Sequence, residues 1–255
     1  MDPTERVAFV VGAAGAIGRA LTSRLLSEGW HVAAAGRDLS RLAALADGRD
    51  VSTWCIDARS FDAVHTALGD VFAARGRIDA VVNLAGSILL KPAHTTTQAE
   101  WNDVVATNLT TAFAVVRAGA PLLAKSGGGS VVLVASAASA IGLANHEAIA
   151  AAKAGVVGLA RAAAATYASR SVRVNVVSPG LVETPLSSRI TSNPSSRNAS
   201  LAMHALGRLG NVDDVAAALH YLAGPSSSFV TGQEIGVDGG LARVRSVGAP
   251  VRPAP

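Results

Sequence analysis

Short runs that are apolar at almost every position recur along the 255-residue chain, and each leads into a longer Ala-rich stretch with helical spacing. This alternation restricts the fold more than any other feature. The runs expected as strands are 6–12, 31–36, 51–56, 80–83, 130–136, 172–177 and 234–237. The expected helices lie at 16–28, 38–46, 60–75, 98–125, 147–168 and 212–223. A strand with no polar position, such as 131–134, has to be covered on both faces, which is the condition of a parallel sheet sandwiched between helices. Seven such strands with helical crossovers describe an α/β fold: one doubly wound parallel sheet with helices on both faces. The chain shows no internal repeat and no linker-like change of composition, so one domain is expected over residues 1–240. Two segments depart from the pattern. Residues 185–208 are rich in Ser, Asn and Arg and read as a lid over a site. Residues 241–255, with three Pro and three Arg, read as a flexible tail.

Half the residues are apolar and 16% are charged, enough for a real core and too apolar for a disordered chain. The single cysteine, Cys55, excludes an internal disulfide framework and fits a reducing compartment. No leader pattern opens the sequence, and the uncharged stretch 126–145 is too rich in Gly and Ser for a bilayer span. A cytoplasmic protein that binds no membrane is therefore expected. The six His show no pair at ligand spacing, so no metal site is expected. The net charge of +4 comes mostly from Arg scattered singly, without the basic clusters or interleaved aromatics of a nucleic-acid-binding stripe.

The first strand runs directly into Gly12-Ala13-Ala14-Gly15-Ala16-Ile17-Gly18 and then a helix. Glycines three apart permit a tight turn, close approach of a pyrophosphate and close helix–strand packing, while the helix N-terminus offers free N–H groups to phosphates. Strand before and helix after give this motif its weight, and dinucleotide binding is expected. An NAD site usually places a carboxylate at the end of the second strand to hold the ribose 2′-hydroxyl. Here Gly36 stands at that position, followed by Arg37, whose guanidinium suits a 2′-phosphate. The expected cofactor is NADP(H), with NAD(H) the lesser alternative.

With these residues in hand, the chain resembles the short-chain dehydrogenase/reductase family over residues 5–240. The ordered matches are Gly12–Gly18, Asp57, Asn83-Leu84-Ala85-Gly86, Trp101 with Asn108, Ser136, Lys153, Ser178-Pro179-Gly180-Leu181-Val182-Glu183-Thr184, and Val230-Thr231-Gly232-Gln233 with Val237-Asp238-Gly239-Gly240. The resemblance implies a Rossmann-type fold and assigns roles. Gly12, Gly15, Ile17 and Gly18 would hold the pyrophosphate, Asp57 and Ala58 the adenine, and Asn83, Ala85 and Gly86 the adjoining ribose. Pro179, Gly180, Val182 and Thr184 would seat the nicotinamide. Lys153 would bind the nicotinamide ribose, Asn108 a water linked to Lys153, and Ser136 the substrate oxygen. The family also implies a homo-oligomer, a tetramer or dimer. Ala16 and Leu84 are small departures from the usual Gly and Asn.

The large departure is at Ile149, four residues before Lys153, where the family has the Tyr of Tyr-x-x-x-Lys that serves as proton donor. Hydride addition to a carbonyl leaves an alkoxide, and a positioned acid typically contributes about 10²–10⁴-fold. An isoleucine carries no labile proton. Ile149 is expected to face the substrate pocket above Lys153. His146 is the nearest substitute, because 146, 149 and 153 share one helix face; Asn145 is expected as the N-cap there, with Glu147 in the first turn. The reading is an NADP(H)-dependent oxidoreductase acting on a small-molecule carbonyl or alcohol, with a non-standard proton donor at His146 or at water held by Asn108 and Lys153. Two alternatives stand beside it: a non-redox catalyst such as a lyase or cyclase, and a non-catalytic subunit in a hetero-oligomer with a related reductase. Arg189, Arg197 and Arg208 of the lid are candidates to meet an anionic carrier.

Overall fold

The computed structural model describes residues 6–245. Seven strands form one parallel sheet: β1 (Val7–Val11), β2 (His31–Gly36), β3 (Val51–Cys55), β4 (Ala80–Asn83), β5 (Gly129–Val134), β6 (Val172–Pro179) and β7 (Glu234–Val237), in the order β3-β2-β1-β4-β5-β6-β7. The connecting helices are α1 (Ala16–Ser27), α2 (Leu39–Ala46), α3 (Phe61–Arg75), α4 (Gln98–Val105), α5 (Thr111–Lys125), α6 (Glu147–Tyr167), α7 (Ser188–Thr191), α8 (Pro194–Met203) and α9 (Val212–Ala223). Alternate residues of each strand feed two cores. Val7, Phe9 and Val11 of β1 face α3, α5 and α6, while Ala8 and Val10 face α1, α2 and α9. Small side chains allow close approach: a Cβ on Gly119 of α5 would meet the Val81 side chain of β4 at 3.0 Å. The stretch Glu147–Arg170 is as apolar as a membrane span, but half of its most apolar part is buried, as expected of a core helix.

The seven strands and the doubly wound fold are those the sequence pattern predicts; several boundaries differ. Asp38 and Ser60 are caps rather than first turns, their side chains accepting from Arg41 N (3.0 Å) and Ala63 N (3.2 Å). β5 ends at Val134, which leaves Ser136 outside the strand as the cap of a short 3-10 turn. The single helix expected over 98–125 is interrupted by a π turn at Ala106–Thr110. The Asn108 side chain donates to Val104 O (2.9 Å) and the Thr111 hydroxyl to Thr107 O (2.8 Å), so side chains engage carbonyls along the widened turn. The polar segment 185–208 holds a 3-10 turn, α7 and α8 rather than irregular chain; Asn193 caps α8 and Pro194 starts it. Of the expected tail, residues 241–245 turn back on Asp238, whose carboxylate accepts from Gly240 N and Ala242 N, both at 2.9 Å. The rest of that tail, 246–255, lies outside the described residues.

Candidate active site

Strand order reverses between β1 and β4, and the crevice at the carboxyl ends of these strands is where an open α/β sheet binds its ligand. A cleft of about 630 Å³ opens there. It brings together Gly12, Gly15, Ile17, Gly18, Arg37, Asp57, Ala58, Ala85, Gly86 and Thr184 from loops far apart in sequence. Gly12 has φ +79°, a left-handed backbone that favours glycine. At Gly18 a Cβ would lie 2.4 Å from Gly12 O and 2.5 Å from Ala13 O, so only glycine lets α1 sit this close to the turn. Gly15 caps α1 with no side-chain bond, and no acidic residue occupies the first turn. The first-turn amides are thus left to a ligand, and the helix dipole favours an anion there.

Electrostatics divide the adenine end. Asp57 is paired with Arg59, the shortest contact 2.6 Å, and that guanidinium holds its carboxyl below the usual carboxylate range. Arg59 also reaches Asp103 at 3.3 Å. Arg37, at the mouth of the same cleft, is exposed and engages no acceptor among the described residues. Arg41 follows one turn later on α2 and donates to Ala14 O (3.0 Å). A dinucleotide fits these residues: glycines that admit backbone contact, bare helix amides for the pyrophosphate, and an exposed cation, Arg37, that donates to no acceptor among the described residues and acts on Asp57 only through its field.

Lys153, on the inner face of α6, is buried and donates to Val134 O at 2.9 Å. Loss of hydration pulls its pKa down to about 8. Asn108 donates both amide hydrogens to protein, to Ser87 Oγ (3.0 Å) and Val104 O, while its Oδ1 accepts from Ser87 N (3.2 Å) and keeps a second lone pair. Gly86 faces both groups, since a Cβ there would lie 3.1 Å from Asn108 Oδ1 and 3.5 Å from Lys153 Nζ. The two polar groups therefore flank one point at the foot of the cleft. Ser136 is half-buried and its Oγ accepts from Ala138 N (3.2 Å). Its loop is tied down by Ser139, whose hydroxyl lies 2.5 Å from Ser136 O and 3.1 Å from Glu234 Oε1; the same carboxylate oxygen accepts from Ser178 at 2.7 Å. One carboxylate on β7 thus ties the loop after β5 to the end of β6.

A model of the family described as enoyl-(acyl carrier protein) reductase matches residues 12–242. The chain belongs to the short-chain dehydrogenase/reductase family. It is 34% identical to the 3-oxoacyl-(acyl-carrier-protein) reductase FabG of Thermotoga maritima, over 92% of this chain and 97% of that one. It is 37% identical to the cis-4-hydroxycyclohexanecarboxylate dehydrogenase of Sinomonas cyclohexanicum, over 94% and 98% of the two chains. Among solved structures it superposes on a short-chain type dehydrogenase/reductase from Mycobacterium ulcerans with a TM-score of 0.89 at 30% identity, covering 94% of this chain and 91% of the other. The chain is accordingly an oxidoreductase of the carbonyl/alcohol class.

Not every residue matched to the family lies where the sequence suggests. Within this short-chain dehydrogenase/reductase, Asn83 is buried and holds the chain rather than the cleft: it donates to Thr111 Oγ1 and accepts from Ala85 N, both at 3.1 Å. Val182 is buried and bridges Gly210. Gly180 borders a second cavity of about 460 Å³ behind the β6 loop, and Pro179 closes β6. Ile149 does not line the cofactor cleft. It is buried in an apolar cluster with Val104, Ala148 and Ala152, where an aliphatic side chain on the inner face of α6 finds its partners. Asn145 is not the N-cap of α6: it takes φ +64° and its carbonyl accepts from Lys91 N, and His146 caps the helix instead. His146 Nδ1 lies 2.8 Å from Ala144 O, and a carbonyl only accepts, so the ring proton is spent on the loop. Both tyrosines lie toward the amino ends of the strands, away from the cleft. Tyr167 ends α6 just before β6 begins, and Tyr221 on α9 acts electrostatically on Arg173 near the start of β6. Of the arginines in 185–208, Arg197 pairs with Glu183 (2.9 Å) and Arg208 with Asp214 (2.7 Å), leaving only Arg189 without a partner among the described residues. Sequence reasoning missed Arg41, Thr107 and Leu186, which also line the cleft. Arg41 was open to detection, one helical turn after Arg37; the others depend on the π turn and on the fold of the 185–208 segment.

Proposed function

We propose that this protein is an NADP(H)-dependent reductase or dehydrogenase of a small carbonyl/alcohol pair that delivers its proton without a tyrosine. The observation that carries the reading is the cleft itself: bare α1 amides and Arg37, whose guanidinium donates to no acceptor among the described residues, stand at one end, and Gly86 and Val134, which adjoin the buried Lys153, line the other. The cofactor supplies hydride when bound. Gly12, Gly15, Ile17 and Gly18 hold its pyrophosphate, Arg37 its 2′-phosphate, Asp57 and Ala58 its adenine, Ala85 and Gly86 the adjoining ribose, and Thr184, on the loop after β6, the nicotinamide end. Ser136 donates its hydroxyl to the substrate oxygen. Lys153 holds the nicotinamide ribose and serves as proton reservoir: an ammonium with a pKa of about 8 still carries its proton at neutral pH and releases it far more readily than an ordinary lysine. Water held between Lys153 and Asn108 conveys the proton to the alkoxide. His146 fits the role less well, because neutral imidazole has one N–H and Ala144 O takes it.

A second reading, a cofactor-binding subunit or a non-redox catalyst, draws on the lack of any tyrosine hydroxyl near Lys153. NADPH oxidation with a panel of ketones and 3-oxoacyl thioesters separates the two. The proposal expects turnover that Ser136→Ala and Lys153→Met each reduce at least about a hundredfold. Tight NADPH binding with no turnover on any carbonyl refutes it and leaves the second reading. We also propose that the protein works as a closed homo-oligomer in the cytoplasm, with the faces of α5 and α6 in contact; Phe113 on α5 is a large apolar side chain left half-exposed at that face.

A further inference from the structure

We propose that His204 is a positioning residue that locks α8 to the loop after β6, the loop that on the reading above seats the nicotinamide. His204 caps the C-terminus of α8 and its ring is buried, 3% exposed. Nδ1 lies 2.6 Å from Ser200 O in the last turn of α8. A carbonyl accepts only, so Nδ1 carries the proton and Nε2 presents a lone pair. That lone pair accepts from Leu181 N at 3.2 Å, in the β6 loop. Two independent partners therefore fix one neutral tautomer. The space is reserved for this ring. A Cβ on Gly180 would lie 2.6 Å from Nε2, and a Cβ on Gly239, in the turn after β7, 3.5 Å from Cδ2. The imidazole is thus wedged between the end of α8, the β6 loop and the β7 turn.

Among the described residues nothing else couples α8 itself to this loop as firmly. The loop's other anchors include backbone bonds to β7 and to Gly210, namely Gly180 N to Val237 O (3.1 Å), Gly210 N to Leu181 O (2.9 Å) and Glu183 N to Gly210 O (2.9 Å), and the Ser187 hydroxyl, which precedes α8 and donates to Val182 O. The Arg197–Glu183 ion pair also joins α8 to the chain after the loop, but both side chains are exposed and such pairs hold little. Without an acceptor at Nε2, the Leu181 N–H loses its partner and α8 its polar tie to the loop.

The test uses the full-length protein without cofactor, so that its failure is distinct from failure of the proposed reaction. Amide hydrogen exchange is followed at Leu181 in wild type and in His204→Gln, His204→Asn and His204→Leu. Gln extends far enough to return an acceptor to Leu181 N; Asn reaches only toward Ser200 O; Leu fills volume with neither. Protection at Leu181 should fall about fivefold or more in the Asn and Leu variants, the worth of one net hydrogen bond, and be largely restored in Gln. In the loaded enzyme the same order should appear in KM for NADPH more than in kcat. Equal protection in all four proteins, or Asn and Gln behaving alike, overturns the proposal. Should the variants not fold, the ¹⁵N shifts of the wild-type ring decide: Nδ1–H with an accepting Nε2 supports the latch, and an Nε2–H tautomer overturns it.

Discussion

Replacing Lys153 by Met tests whether the buried amine has the proton affinity that the proposed chemistry needs. Burial lowers its pKa from 10.5 to about 8 with desolvation as the cause. The folded protein therefore binds fewer protons at this site than the unfolded chain between pH 8 and 10.5. Stability must rise with pH through that window, and the destabilisation is fully present below pH 8. A shift of about 2.5 units at about 1.4 kcal/mol each makes the charged amine cost about 3 kcal/mol at pH 7, most of it recovered by pH 10. Met removes that dependence, although it also removes the donor to Val134 O, worth about 1.5–3 kcal/mol for a charged group. At pH 7 the two terms nearly cancel, and the variant should unfold close to wild type. At pH 10 the wild type should be more stable than the variant by about 2–3 kcal/mol, or about 1 M in urea midpoint for a slope near 3 kcal/mol/M. Urea titrations of both proteins at the two pH values give the answer. A wild-type-minus-variant difference that does not change between pH 7 and 10 would refute the reasoning, because the amine would then titrate as a solvated lysine.

Arg37→Ala should weaken NADPH binding about 10–100-fold, the worth of a charge-assisted bidentate contact, and leave NADH within about twofold, by fluorescence titration; equal losses for both cofactors would contradict the 2′-phosphate assignment. Gly18→Ala should destabilise despite alanine's helix advantage of about 1 kcal/mol, because its Cβ meets two backbone oxygens that cannot move aside; a urea midpoint at or above wild type would contradict the packing argument. Light scattering at micromolar concentration should give a dimer or tetramer, and a Phe113→Asp variant should shift it toward monomer.

The sheet was legible because period and composition agreed: runs such as Val7–Val11, buried at every position, admit only a strand covered on both sides. Gly12, Gly15 and Gly18 were legible because each answers a steric demand made by its own neighbours in sequence. What escaped depends on partners far away. The π turn at Ala106–Thr110 comes from hydrogen bonds of Asn108 and Thr111 within a stretch whose apolar spacing reads as one helix. Asn83 looked like a ligand residue, and its commitment to Thr111, 28 positions on, cannot be seen in a strand motif. Ile149 lies on the predicted face of α6, but whether that face meets a pocket or apolar neighbours is decided by Val104 across the fold. His204 gave no signal, since a lone histidine in a polar stretch has no pattern around it.

The central claim is that carbonyl reduction proceeds with Lys153, not a phenol, as the source of the proton. The direct measurement is the pH dependence of kcat for NADPH-driven ketone reduction by wild type and by Lys153→Met. Wild-type kcat should hold up to about pH 8 and then fall about tenfold per pH unit as Lys153 deprotonates. The methionine variant should be slower by at least about a hundredfold and should lose that pH dependence. A wild-type rate that is flat through pH 9, or lost on His146→Ala with Lys153 intact, would contradict the claim.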